Sequence, residues 1–152
     1  MRKMLSLLWL LVILASCTLL DQRDDMARLA EHRQRWHSHH ITDYRYRLQI
    51  LCFCPPEIRQ PVVIEVRNNV TVSITAVESG ATVDLEHFKS LDTIEKLFDL
   101  IEAAIVGKAA RVEVSYDPTW GIPTRIRIDH LKDAVDDEVE YTVTEFTVLS
   151  KS

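Results

Sequence analysis

The sequence predicts an α+β domain: an antiparallel sheet of about six strands, in the order helix, three strands, helix, three strands, with the helices on one face. Three observations predict it. Six short runs alternate apolar and polar residues, the period of a half-buried strand. Two stretches instead carry apolar residues at helical spacing, one ahead of each set of three runs. The chain has 152 residues, 47% hydrophobic and 27% charged, which suits one globular domain and excludes a disordered chain. With only 3 Gly, a glycine-rich phosphate-binding architecture is excluded as well.

The first helix is expected from Asp21 to about His40, with Met26, Leu29, Ala30 and Trp36 as a partial apolar stripe. Tyr44, Tyr46, Leu48, Ile50 and Cys52 then alternate with Arg45, Arg47 and Gln49 in a strand that Pro55-Pro56 must end. Val62, Ile64 and Val66 form the second strand, and Asn68-Asn69 suits the positive φ angles of a tight hairpin. The third strand turns Val70, Val72, Ile74 and Ala76 one way and Thr71, Ser73 and Thr75 the other. A second helix is expected to start at Asp92 as its cap, with Glu95 completing a capping box. Ile94, Leu97, Phe98, Ile101 and Ile105 give its apolar stripe, and Gly107 is placed to end it. Val112, Val114 and Tyr116 follow, then a turn over 117–121, then Ile126 and Ile128. After an acidic connection, Val139, Tyr141 and Val143 open a last strand whose parity shifts before Phe146 and Val148, the mark of a bulge. The repeated order suggests an internal duplication.

The N-terminus argues location. Arg2 and Lys3 precede an apolar run over 4–15, which as a helix would span about 18 Å, short of the roughly 30 Å of bilayer hydrocarbon. Leu14-Ala15-Ser16-Cys17 closes the run and resembles the lipobox of bacterial lipoproteins. That resemblance implies a diacylglyceryl group on the Cys17 thiol and cleavage just before it. It divides the chain into a signal peptide over 1–16, a tether and helix start over 17–35, and one domain over 36–152. It also implies a membrane as partner, reached through the lipid rather than a spanning helix. Thr18 stands where an Asp would retain an enterobacterial lipoprotein in the inner membrane, so the resemblance favours the periplasmic leaflet of the outer membrane in a diderm host. Losing Arg2 and Lys3 takes the side-chain charge from -5 to -7, too acidic for a nucleic-acid footprint.

The chain further resembles a family of small bacterial lipoproteins built on a domain of unknown function. The residues that carry the resemblance are Tyr44-Arg45-Tyr46, Cys52-Phe53-Cys54-Pro55, Thr93-Ile94 ahead of Leu97-Phe98, Tyr116-Asp117-Pro118 with Gly121-Ile122-Pro123, Ile128-Asp129, and Asp136-Asp137-Glu138. They fall within about 36–147. The resemblance implies an anchor and a fold but assigns no activity to any residue. Asn68-Asn69 departs from the glycine-containing hairpin expected there.

Few residues offer chemistry. Cys52 and Cys54 share a strand face in an oxidising compartment, which leaves open a structural disulfide, two buried thiols, or redox exchange and soft-metal binding. In a straight strand their Cα atoms would lie near about 6.5 Å apart, so a bridge requires a local bend. His37 and His40, with His32 upstream, share helical spacing suited to a transition metal, although Arg33 and Arg35 oppose a cation. Asp133, Asp136, Asp137 and Glu138 lack the spacing of an EF-hand and read as a solvated turn. Strand parity collects Arg45, Arg47, Arg67, Arg111, Arg125 and Arg127 on the outward sheet face with Glu65, Glu113 and Glu140. Such a face either holds an anionic envelope component by guanidinium forks or pairs with its own glutamates.

No serine-nucleophile motif and no glycosidase-type acid pair is present in the sequence, so no catalytic, cofactor-binding or metal residue is assigned. The expected function is a lipid-anchored cell-envelope protein acting as a non-catalytic binding or structural module, with an anionic envelope component or a protein as partner. The alternative is a periplasmic thiol-redox or metal-handling protein using Cys52 and Cys54.

Overall fold

The computed structural model describes residues 22–131 and 138–150. Helix α1 covers 22–38 and is followed by β1 (Tyr44–Leu51), a single helical turn α2 (Pro56–Arg59), β2 (Val62–Arg67) and β3 (Val70–Ala76). A short 3-10 turn (Leu85–His87) leads to α3 (Ile94–Val106), and then β4 (Arg111–Tyr116), β5 (Pro123–Asp129) and β6 (Glu138–Val148) complete the domain. The predicted α+β order is the observed one. The sequence reading did not anticipate α2, in which Pro56 opens the turn at a position where a missing N–H costs nothing.

All six strands pair antiparallel in one open sheet, ordered β3-β2-β1-β6-β5-β4. Two three-stranded meanders thus join through the first strand and the last. β1 and β4, which a duplication would make equivalent, occupy a central and an edge position, so the repeated order is not a symmetry of the sheet.

Register explains the core. Tyr46 lies opposite Ile64, which lies opposite Ile74, while Ile50 lies opposite Tyr141, which lies opposite Ile126. These side chains form one apolar surface, covered by α3 through Ile94, Leu97, Phe98 and Ile101 and by α1 through Leu29 and Trp36. Each such side chain taken fully out of water contributes about 1.5–3 kcal/mol before entropy is subtracted. Met26 of α1 packs against the same core.

Asn68 and Asn69 both adopt positive φ (50° and 63°), the two-residue hairpin the sequence predicts. The bulge in β6 also stands where the parity shift placed it: Glu145 has φ 53°, and Phe146 turns back to pack against Trp36 and Tyr44. Two local expectations are corrected. The α3 cap is Thr93, whose hydroxyl accepts from the Lys96 amide at 3.2 Å, whereas Asp92 binds the Lys96 ammonium at 2.6 Å. Gly107 ends α3 as its C-cap, as expected; a Cβ there would lie 2.8 Å from the Ala103 carbonyl oxygen, and the left-handed residue is the next one, Lys108 (φ 57°). A register shift opposite β2 turns Thr71 toward the helices, where its hydroxyl donates to the Asp92 carbonyl, and leaves Val70 and Val72 exposed on the edge strand.

Candidate functional site

The helix layer is tied to the sheet at one end by two tyrosines. The Tyr46 hydroxyl, with no solvent exposure, donates to the Leu91 carbonyl at 2.9 Å, and the Tyr44 hydroxyl accepts from the Ile94 amide at 3.1 Å. Burial pushes the Tyr44 phenol up to about 12 and the Tyr46 phenol well above its ordinary value. Above this contact Trp36, His37, His40, Ile41, Thr42, Tyr44, Asn69, Thr93 and Glu95 line a cleft of about 530 Å³. The His37 Nε2 lies 2.9 Å from a Glu95 carboxylate oxygen. An imidazole, a carboxylate and an aromatic wall can receive a polar group or a partner's side chain.

Of the histidines read as a possible metal group, His37 and His40 line this cleft and His32 stands apart from it. His37 turns to Glu95, His39 bonds the Thr119 carbonyl and meets Trp120 edge-on, and His32 stacks on Tyr116 at 3.9 Å. Burial lowers the His32 imidazole's affinity for a proton, with Arg35 adding to the effect. Among the described residues no group of three or more His, Cys, Asp or Glu is placed to hold a metal ion. Of the acidic turn, Asp133, Asp136 and Asp137 fall outside the described residues, and Glu138 pairs with Arg127.

Helix α1 is held on the domain by two devices that sequence reasoning missed. Arg33 reaches three carboxylates of α3: Glu95 at 2.6 Å, Glu102 at 2.9 Å and Asp99. Those acids stand at i, i+4 and i+7, one stripe of a helix, and that spacing was the available signal. The second device is the 117–121 turn. The Asp117 carboxylate accepts from the amides of Thr119 (2.8 Å) and Trp120 (2.7 Å), and the Arg35 guanidinium donates to the Pro118 carbonyl at 2.9 Å. Gly121 has φ 78°, and a Cβ there would lie 2.6 Å from the His32 carbonyl oxygen. The Asp-Pro-x-x-Gly run is thus a seat for α1.

At the opposite end of the sheet, the chain bends after Leu51 and brings Cys52 and Cys54 to disulfide distance, with Cα atoms 5.3 Å apart. Both are half-buried, on the rim of the core rather than within it, because β1 has already ended. With Ile50, Phe53, Ile58, His87, Leu91, Val139 and Tyr141 they line a second, mostly apolar cleft of about 290 Å³.

The six outward arginines do share one face, and five of them meet carboxylates. Arg47 pairs with Glu145 at 3.3 Å, Arg67 with Glu65 at 2.8 Å, Arg125 with Glu140 at 2.7 Å, Arg111 with Glu113, and Arg127 with Glu138. The Arg125 hydrogen bond and charge hold the Glu140 carboxyl below its ordinary value. Arg45 stands opposite Glu65 in register and, with Arg47, Val63, Glu145 and Thr147, borders a shallow hollow of about 240 Å³. Cys17 lies outside the described residues, and no helix within them is long and apolar enough to cross a membrane.

Fold and site together define a small open-sheet α+β domain whose helices cover one face and whose other face is charged. A family model matches residues 28–148, and the chain belongs to that family, the family of unknown function DUF6174. No curated protein and no solved structure matches the chain.

Proposed function

We propose that the protein is a lipid-anchored component of the bacterial cell envelope, and that its domain is a non-catalytic binding or structural module. The observation that carries the reading is the register of Leu14-Ala15-Ser16-Cys17 directly after an apolar run too short to span a bilayer. Several acyl chains on Cys17 hold the protein on a membrane far more durably than one, at roughly 0.8 kcal/mol per buried CH₂. In a diderm host Thr18 favours the periplasmic leaflet of the outer membrane.

The domain's binding partner is an anionic envelope component or a protein. Arg45 and Arg47 support the first choice, since their shallow hollow offers guanidinium forks to phosphate or carboxylate. Metabolic labelling with a fatty-acid analogue tests the anchor. The wild-type chain takes up label and sediments with membranes; Cys17→Ala takes up none and is released. A wild type without label contradicts the proposal.

A further inference from the structure

Among the described residues nine large apolar side chains are exposed, and four of them gather at one end of the domain: Leu51 (49% exposed), Phe53 (87%), Val106 (60%) and Leu131 (63%). Topology places them together. Leu51 closes β1 beside Glu140 near the start of β6, Asp129 at the end of β5 faces both Glu138 and Arg111, and Leu131 lies just beyond. Val106 ends α3 five residues before β4 begins at that same end. From β1 to β4 is three strand spacings, about 14 Å.

Helix α1 also starts here: the Gln22 side-chain amide donates to the Ile105 carbonyl in the last turn of α3. Only Thr18 to Asp21 separate Cys17 from Gln22, and five fully extended residue steps reach at most about 18 Å. A lipid on Cys17 therefore keeps this end of the domain within a short reach of the headgroups. Contiguous exposed apolar side chains mark contact surfaces, and an exposed phenylalanine gains by entering the interfacial region of a bilayer.

We infer that the end of the domain bearing Leu51, Phe53, Val106 and Leu131 rests on the lipid bilayer, which sets the domain upright with the Trp36–Glu95 cleft directed away from the membrane. This inference rests on the anchor proposed above. The cleft lies at the other end of α1 and β1, where Trp36 and Tyr44 stand. The anchor and the apolar end act together, because a tether this short holds the patch at the surface continuously.

Hydrogen exchange of the full chain, purified after fatty-acid labelling and reconstituted in phosphatidylethanolamine and phosphatidylglycerol vesicles, tests it. Segments 50–54, 104–111 and 128–131 exchange more slowly in the labelled chain than in Cys17→Ala, while 68–72 and 117–121 exchange alike. Phe53→Asp combined with Leu131→Asp, two exposed positions, keeps the label but loses the slowing. Labelled wild type whose three segments exchange as in Cys17→Ala overturns the membrane-resting end alone. A chain that takes up no label overturns the anchor and the inference together.

Discussion

Tyr46 and Leu91 are joined by a hydrogen bond that no water reaches, the phenol donating to the carbonyl at 2.9 Å beneath the start of α3. Tyr46→Phe leaves that carbonyl without its partner and is expected to cost about 1–3 kcal/mol in chemical denaturation. The same burial sets an alkaline limit. The Tyr44 and Tyr116 phenols are pushed from 10.0 up to about 12, and burial raises Tyr46 well above its ordinary value too. The folded state therefore holds protons that the unfolded state gives up, so stability is full below pH 10 and falls as pH rises from 10 through 12. Tyrosine absorbance and far-UV dichroism recorded together from pH 8 to 12.5 check this. Phenol ionisation that is complete near the ordinary value with the fold intact contradicts it.

Arg33 and Gly121 decide whether α1 stays docked. Arg33→Ala leaves Glu95, Asp99 and Glu102 facing a gap, and Arg33→Lys does not restore the arrangement, because an ammonium lacks the guanidinium fork. Gly121→Ala adds about 1–2 kcal/mol for the left-handed backbone, and the contact with the His32 carbonyl comes on top. Both variants are expected to lose amide protection over 22–38 before the sheet melts. Protection lost evenly throughout contradicts this order.

The cysteine pair closes a loop of only three residues. Chain entropy then limits a disulfide there to about 1.6 kcal/mol, and Cys52→Ala with Cys54→Ala should lower stability by no more than that. Unchanged melting with lost cellular function points instead to thiol exchange or metal handling. A metal adduct in the native mass of the domain supports the same alternative.

How far the sequence carried depended on the range of the forces involved. Short-range devices were legible: the α3 stripe, the Asn68-Asn69 hairpin and the Glu145 bulge each follow from a few adjacent residues. The pairing of β1 with β6 was not, because 86 residues lie between Leu51 and Glu138 and strand alternation says nothing about which edges meet. For the same reason parity gathered the arginines on one face but could not show that Arg125 meets Glu140 or that Arg47 meets Glu145. The cleft beside Trp36 draws on α1, the following loop, the 68–69 hairpin and α3, so no local pattern announces it.

The arginine face makes a graded prediction. Exposed pairs of this kind contribute about 0–1 kcal/mol each, so Arg45→Glu with Arg47→Glu and Arg127→Glu should fold. In sedimentation of the non-lipidated domain with anionic vesicles or isolated cell wall, the wild-type domain binds at low salt and the variant does not; equal behaviour of the two removes the anion-binding face. Within the face, Glu140 is depressed by Arg125, so its contribution is present above the ordinary carboxylate range and is lost as pH falls through its lowered value. Arg125→Gln should return Glu140 toward the ordinary range in a carboxyl NMR titration.

The central claim, an envelope protein held by lipid at Cys17, meets its most direct test in the mass of the N-terminal peptide of the protein extracted from membranes. The account predicts a peptide that begins at Cys17 and carries acyl groups. A peptide that still contains residues 1–16, or one beginning at an unmodified Cys17, contradicts it.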